Sequence, residues 1–573
     1  MEQTEIGGTP GRSLLRSSDL IWFALAAVLI ALVANPLLQL LSISLSDPNT
    51  GGWTLLNYID AFSRARYVRA IGNSMLLGIS VAALALVFGV PIAWALSRTD
   101  MPLKGLVRVL VLATFATPPF LGAMSWILLA GPNAGWLNRG FNALFGTSTG
   151  FLNIYSFPGL VFIIALYSFP YAVVFMSSAL EMVSSEMEDA ANILGANRLT
   201  LTRRVTLPLV LPAILAAAII MFLEAVSIIS STIMIALPAR VNLVPLQLWE
   251  FFGYPLQLEV AAAYSIPLLL VTVTLFLLQK AILGRRSYVT LTGKGGERRP
   301  IRLGPFRWVF LGYSLFILCL SVLLPYVVLL QAALAKAWAR GFHLDNLTLD
   351  NFRFLFFQHA YAPKSILNTF MYSSAAATLA VALALAVAYI VSRRLMRFSR
   401  VLGLIAMTPI VVPGIVMAIG FYAAYAPPPI ALAGTAAILI LGFTTRFLPV
   451  AYANAEAAMA GVNPEMEDAV RILGGSRFIA LRRVLVPLLK RSLMGAWLLV
   501  FIVSSREVSS ALFLYGPETR TMSVLFFDLT EGGRFEHLSA LGVILLVTVL
   551  VFVICGQLVI GRDFMLRRGS SSS

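Results

Sequence analysis

Stretches of about 20 apolar residues recur a dozen times along this 573-residue chain, and nothing constrains its folding more. A helix of that length is enough to cross the roughly 30 Å hydrocarbon core of a bilayer. The runs fall near 20–43, 72–97, 106–130, 157–180, 207–236, 259–282, 308–335, 367–392, 401–424, 430–454, 485–514 and 538–561. Only 12% of residues are charged, against about 25% in soluble domains. The expectation is an all-α polytopic membrane protein with about 12 transmembrane helices.

The formal charge is +16. In a soluble chain that excess would suggest nucleic acid, but here it fits the enrichment of Lys and Arg in cytoplasmic segments. With both termini cytoplasmic, the basic clusters Arg285 to Arg307, Arg393 to Arg400 and Arg562 to Arg568 all fall inside. Arg64, Arg66 and Arg69 in the first outer loop are the exception. The two cysteines, Cys319 and Cys555, sit in apolar runs and support neither a disulfide framework nor a cysteine metal site. The first apolar run reads as a retained span, not a cleaved signal.

The chain repeats itself. Residues 186–208 (EMEDAANILGANRLTLTRRVTLP) and 465–487 (EMEDAVRILGGSRFIALRRVLVP) share 13 of 23 positions at an offset of 279. TLLNYIDAF (54–62) resembles TLDNFRFLF (348–356). Asn73-Ser74 and Asn368-Thr369 each open an apolar run, and the same runs end in Ser97-Arg98 and Ser392-Arg393. The reading is two membrane domains, 1–282 and 307–573, joined by a basic linker, 283–306. About six spans per half give a parallel repeat, with a pseudo-two-fold axis along the membrane normal.

Each copy of the repeated loop reads as a helix–Gly–helix elbow on the cytoplasmic face. Asn463-Pro464 suits an N-cap followed by Pro at the first helical position. In the first copy Ser184 or Ser185 takes that role, and Ser185 with Glu188 fits a capping box. Glu186, Glu188 and Asp189, like Glu465, Glu467 and Asp468, crowd the positive helix end, followed by Ala190 and Ala469. Gly195 and Gly474 suit a helix stop. Arg198, Arg203 and Arg204, with Arg477, Arg482 and Arg483, follow near the membrane surface, and Pro208 and Pro487 open the next span. A polar segment repeated this closely reads as a docking surface used twice.

These residues resemble the loop signature of inner-membrane permeases of binding-protein-dependent ABC importers: Glu-Ala-Ala, three residues, Gly, nine residues, a β-branched residue, one residue, Leu-Pro. The copies here run Asp189-Ala190-Ala191, Gly195, Val205, Leu207-Pro208 and Asp468-Ala469-Val470, Gly474, Val484, Val486-Pro487. Asp replaces the first Glu in both, with a Glu one residue upstream. The resemblance implies a bacterial inner-membrane transport subunit, two copies of a cytoplasmic ATPase carrying ATP and Mg, and a periplasmic substrate-binding protein. It implies no cofactor in this chain. Consistently, the sequence holds no GxxxxGK[ST] phosphate loop; Lys294, in TGKGG, lacks the spacing. Lipid is the other expected partner, and nucleic acid is not one.

Charges inside apolar runs are functional candidates by default. Glu224, Arg446, Arg506 and Glu507 are the candidates for a translocation pathway or gate, alongside the bland alternative of internal ion pairing. The repeat mates of Arg446 and Glu507 are Tyr167 and Ile228. The histidines His343, His359 and His537 fall in expected outer loops with nothing to fix a metal geometry. No nucleophile–His–acid arrangement points to an enzyme. Phrases such as SRTDMPLKG (97–105) resemble the ferric-iron branch, with thiamine, phosphonate or polyamine importers as relatives. Two other classes stay open from the residues: an ion-coupled secondary transporter using Glu224 and Glu507, and a membrane scaffold whose elbows bind some other dimer.

Overall fold

The computed structural model describes residues 17–48, 50–148, 150–182, 200, 204, 206–284, 301–396 and 398–560. Its membrane helices fall into two series of seven. The first is α1 (Phe23–Ser44), α2 (Ala65–Arg98), α3 (Lys104–Ala116), α4 (Pro119–Ala130), α5 (Phe157–Leu180), α6 (Leu207–Ser227) and α7 (Leu258–Ile282). The second is α8 (Phe306–Ala333), α9 (Ala362–Ser392), α10 (Ser399–Ile410), α11 (Gly414–Tyr425), α12 (Ala436–Ala460), α13 (Arg477–Ser505) and α14 (Phe535–Phe552). Ten of these are long enough to cross a bilayer alone.

The third run of each half departs from expectation. Residues 106–130 and 401–424 were each expected as one span, but α3 and α4 meet at 99° and α10 and α11 at 112°. Proline explains both breaks. Pro118-Pro119 and Pro413 remove backbone donors, and each proline disfavours helical geometry in the residue before it. Pro118, which precedes Pro119, accordingly takes ψ of 133°, and Pro413, ahead of Gly414, is likewise extended at ψ 142°. The fifth runs of the halves also end early. The helix of 207–236 stops at Ser227, where Ile228 turns extended, and that of 485–514 stops at Ser505. Arg506 and Glu507 therefore sit just past the end of α13, not within it.

Proline also shapes intact helices. Five-residue π-turns cover Ile30–Ala34, Cys319–Leu323 and Leu481–Leu485, each directly before an Asn35-Pro36, Leu324-Pro325 or Val486-Pro487 pair. A ring that cannot donate lets the preceding turn widen. Pro487 thus lies within α13, which begins three turns earlier than the proline suggests.

The two halves use the same polar fastenings. Asn57 donates to the carbonyls of Ser44 and Ser46, holding the end of α1, and Asn351 does the same to Ala333 and Ala335 at the end of α8. Asn73 donates to the Asn242 carbonyl while the Ser74 hydroxyl accepts from Val244 N, the first residue of the helix Val244–Phe251. Asn368 and Thr369 repeat this at Arg520 and Met522, ahead of the helix Met522–Glu531.

Within each half the second and fourth spans pack most closely, through small residues. A side chain at Gly89 on α2 would fall 2.7 Å from Ala172 Cβ and 2.8 Å from the Phe169 carbonyl on α5. The first span of each half leans on the broken span of the other. Tyr425 of α11 donates to the Ala31 carbonyl of α1. Thr117 after α3 bonds Tyr326 of α8 at 2.8 Å, and Thr114 bonds Ser321 at 2.9 Å.

Candidate functional site: a cytoplasmic elbow and a charge cluster between the halves

The second elbow is described in full. Its helix spans Glu465–Ile472, with Pro464 rather than Asn463 as the flanking residue, and the Asn463 side chain accepts from Glu465 N at 3.1 Å. Gly474 takes φ of +80°, where a Cβ is costly. Gly475 N reaches back to the Val470 carbonyl at 2.9 Å and Gly474 N to Arg471, which closes the helix end. Ser476 then caps the start of α13 through Ile479 N.

The elbow turns apolar side chains outward. Ile472 is 85% exposed, Leu473 87% and Phe478 66%. Arg477, Arg482 and Arg483 surround them, also exposed. Asp468 is exposed and pairs with Arg471 at 3.5 Å. Glu467 points the other way: it is buried, accepting from Arg393 Nε at 2.5 Å and from the Tyr389 hydroxyl at 3.0 Å. The Glu upstream of Asp468 therefore belongs to the fold, and Asp468 and Glu465 are the carboxylates on the surface. Of the first elbow, Glu186, Glu188, Asp189, Ala190, Gly195, Arg198 and Arg203 lie outside the described residues. Arg204 is exposed and Pro208 lies in the first turn of α6.

The four intramembrane candidates come together at the junction of the halves. Arg446 Nε on α12 pairs with Glu507 Oε2 at 3.1 Å. Glu507 Oε1 accepts from Ser510 N at 2.9 Å, which holds the carboxylate in the break after α13. Arg506 reaches across to the first half, donating to the Phe115 carbonyl at 2.7 Å. That carbonyl lies in the last turn of α3, where intrahelical donors run out. The Phe115 ring packs edge-on against Tyr171, which neighbours Glu224 on α6. Glu224 also accepts from Ser168 at 3.4 Å and feels the charges of Arg506 and Arg446. Two cations and two carboxylates thus gather in a medium that penalises an unpaired charge, with Arg446 and Glu507 directly paired.

The broken spans frame this cluster. Ser231 donates to the Pro119 carbonyl and Ser510 to that of Gly414, tying the first residue of α4 and of α11 to the segment after the fifth span. Arg446 lies across Gly414 so closely that a Cβ there would stand 1.9 Å from its guanidinium. Tyr167, its repeat mate, lies likewise across Gly122. On the side away from the elbow, a cavity of about 820 Å³ opens between the halves, lined by Glu250, Gln247, Trp249, Tyr422, Asp528 and Glu531 among others. No group of three or more metal-ligating side chains occurs among the described residues. His343 and His359 lie in loops, whereas His537 sits in the first turn of α14 and packs on Phe354.

Residues 85–288 match the family described as binding-protein-dependent transport system inner membrane component. A probable molybdenum ABC transporter permease of Haloferax volcanii is 31% identical over 202 residues, 35% of this chain and 70% of that protein. The chain belongs to this family of ABC transporter permeases. Across both halves the permease is 26% identical to the ferric transport system permease FbpB of Actinobacillus pleuropneumoniae, over 86% of this chain and 71% of that one. A putative ferric transport system permease of Haemophilus influenzae is 27% identical over 80% and 72%. The permease is a multi-pass inner-membrane transport subunit, and its homologues are transport proteins, not enzymes.

Sequence reasoning found the charged members of the permease's cluster, because a charge in an apolar run stands out. It missed Phe115, Tyr171 and Gly414, which contribute a carbonyl, a hydroxyl and an empty space. Pro118-Pro119 and Pro413-Gly414 in the middle of apolar runs were the available signal.

Proposed function

We propose that this permease forms the translocation pathway for ferric iron delivered by a periplasmic binding protein, driven by two copies of a separate ATPase docked on its two elbows. The match to ferric transport permeases over most of both halves carries the choice of substrate. The elbow's exposed Ile472, Leu473 and Phe478 supply the docking: apolar side chains held out by a capped helix invite a partner groove. ATP and Mg belong to that partner, and the chain's termini lie on the partner's side. Residues 1–282 and 307–573 act as the two permease domains, with 283–306 as a linker.

Arg446, Glu507, Arg506 and Glu224 form the gate. Arg506 closes the halves together by satisfying the Phe115 carbonyl, and separation of the halves must break that bond. The reading is tested by purifying the detergent-solubilised chain from its native membrane and identifying what accompanies it. An ATPase at about two copies per chain is expected, with ATP-dependent uptake of ferric iron in vesicles supplied with the binding protein. Uptake of molybdate or an aminoalkylphosphonate instead would keep the importer and replace the substrate. Transport without ATP or partners would overturn the importer itself.

A further inference from the structure

The elbow helix buries only one side chain, and that side chain is a carboxylate. Glu467 is 7% exposed on a helix whose other residues face outward or lie half-covered. An acidic residue is a poor choice for simple packing, since burial strips its hydration. Its surroundings repay that cost. Arg393 Nε sits 2.5 Å from Oε1, the Tyr389 hydroxyl donates to Oε2, and Arg393 NH2 also donates to the Val462 carbonyl at 3.2 Å. One guanidinium therefore joins three parts: the cytoplasmic end of α9, the chain leaving α12, and the elbow helix. The elbow helix otherwise packs chiefly on the start of α13.

We propose that Arg393 and Glu467 form a strut that transmits displacement of the elbow into α9. They are positioning residues: neither faces the exposed apolar docking surface. Two charge-assisted hydrogen bonds fix direction as well as distance, because the guanidinium is planar and its donors point along set lines. A partner pulling on Ile472 and Leu473 moves the elbow helix, and the strut carries that movement to α9. Because α9 packs on α12, which bears Arg446, the strut gives elbow motion a path to the charge cluster. The first half holds the counterpart of Arg393, Arg98, buried at the end of α2, but Trp94 stands where Tyr389 is. The two halves thus differ in sequence at the position of the second donor, a phenol hydroxyl in one and an indole in the other.

This inference rests on the importer reading, and the experiment separates the two. In the complete complex, Glu467→Gln and Arg393→Gln are expected to keep the ATPase bound to within about twofold, since the docking surface is untouched. Substrate taken up per ATP hydrolysed is expected to fall about tenfold. The exchanged pair, Arg393→Glu with Glu467→Arg, is expected to recover part of the loss, which a purely local packing defect would not. In the permease alone, amide hydrogen exchange of residues 465–472 is expected to quicken in Glu467→Gln while the interior of α9 stays protected. Unchanged uptake per ATP in both single variants overturns the strut, as does parallel loss of ATPase binding. If the unaltered chain binds no ATPase, the importer reading fails first and the strut fails with it.

Discussion

Arg446 and Glu507 illustrate what a membrane charge costs and what removes the cost. Replacing one partner leaves the other buried without a counter-charge, about 3–5 kcal/mol in comparable sites, whereas replacing both with apolar residues is far milder. Thermal unfolding of the solubilised chain should therefore show Arg446→Met and Glu507→Met each much less stable than the double variant. Gly414→Ala tests the same pair without touching a charge. Its Cβ would occupy the space of the Arg446 guanidinium, and the expected outcome is about 1–3 kcal/mol of destabilisation with loss of transport. The charges could be found in the sequence because they violate the composition around them. The glycine could not, because an absent side chain carries no signal until its neighbour is known.

At the level of elements, the elbow separates surface from scaffold along one short helix. Changing Ile472 and Leu473 to serine removes exposed apolar area and no packed contact. The expected result is a chain that unfolds at an unchanged temperature but no longer retains the ATPase on purification. Thr369→Val probes the other kind of element contact. It removes the hydroxyl that accepts from Met522 N, at about 1 kcal/mol, and should raise hydrogen exchange at the start of the helix Met522–Glu531. Apolar runs located the membrane helices, because burial in lipid demands them. They could not locate the breaks at Thr117 and Val412 or the stop at Ser505. Those depend on prolines and on serine hydroxyls competing for backbone carbonyls, local chemistry that a hydropathy average smooths away.

Taken whole, the molecule is held together by reciprocal contacts: α1 on α11, and α8 on α3 and α4. Fragments 1–282 and 307–573, produced as separate chains in one cell, should co-purify through a tag on either, and each should be degraded when made alone. The repeat points to a division into two halves. The exchange of first spans was not readable from it, since both halves carry the same motif and nothing in a repeat says which copy a span will join.

That exchange sets a schedule for biosynthesis. Tyr425 and Ala31, which meet in the finished protein, are 394 residues apart. At about 5–20 residues per second, translation needs roughly 20–80 s to deliver the partner of α1 after α1 itself has entered the bilayer. For that interval the span must wait in lipid with the face that α11 covers left open, within reach of insertion chaperones and membrane proteases. A ribosome stalled before residue 414 leaves it there, so the cell can recognise an unfinished permease by its first helix.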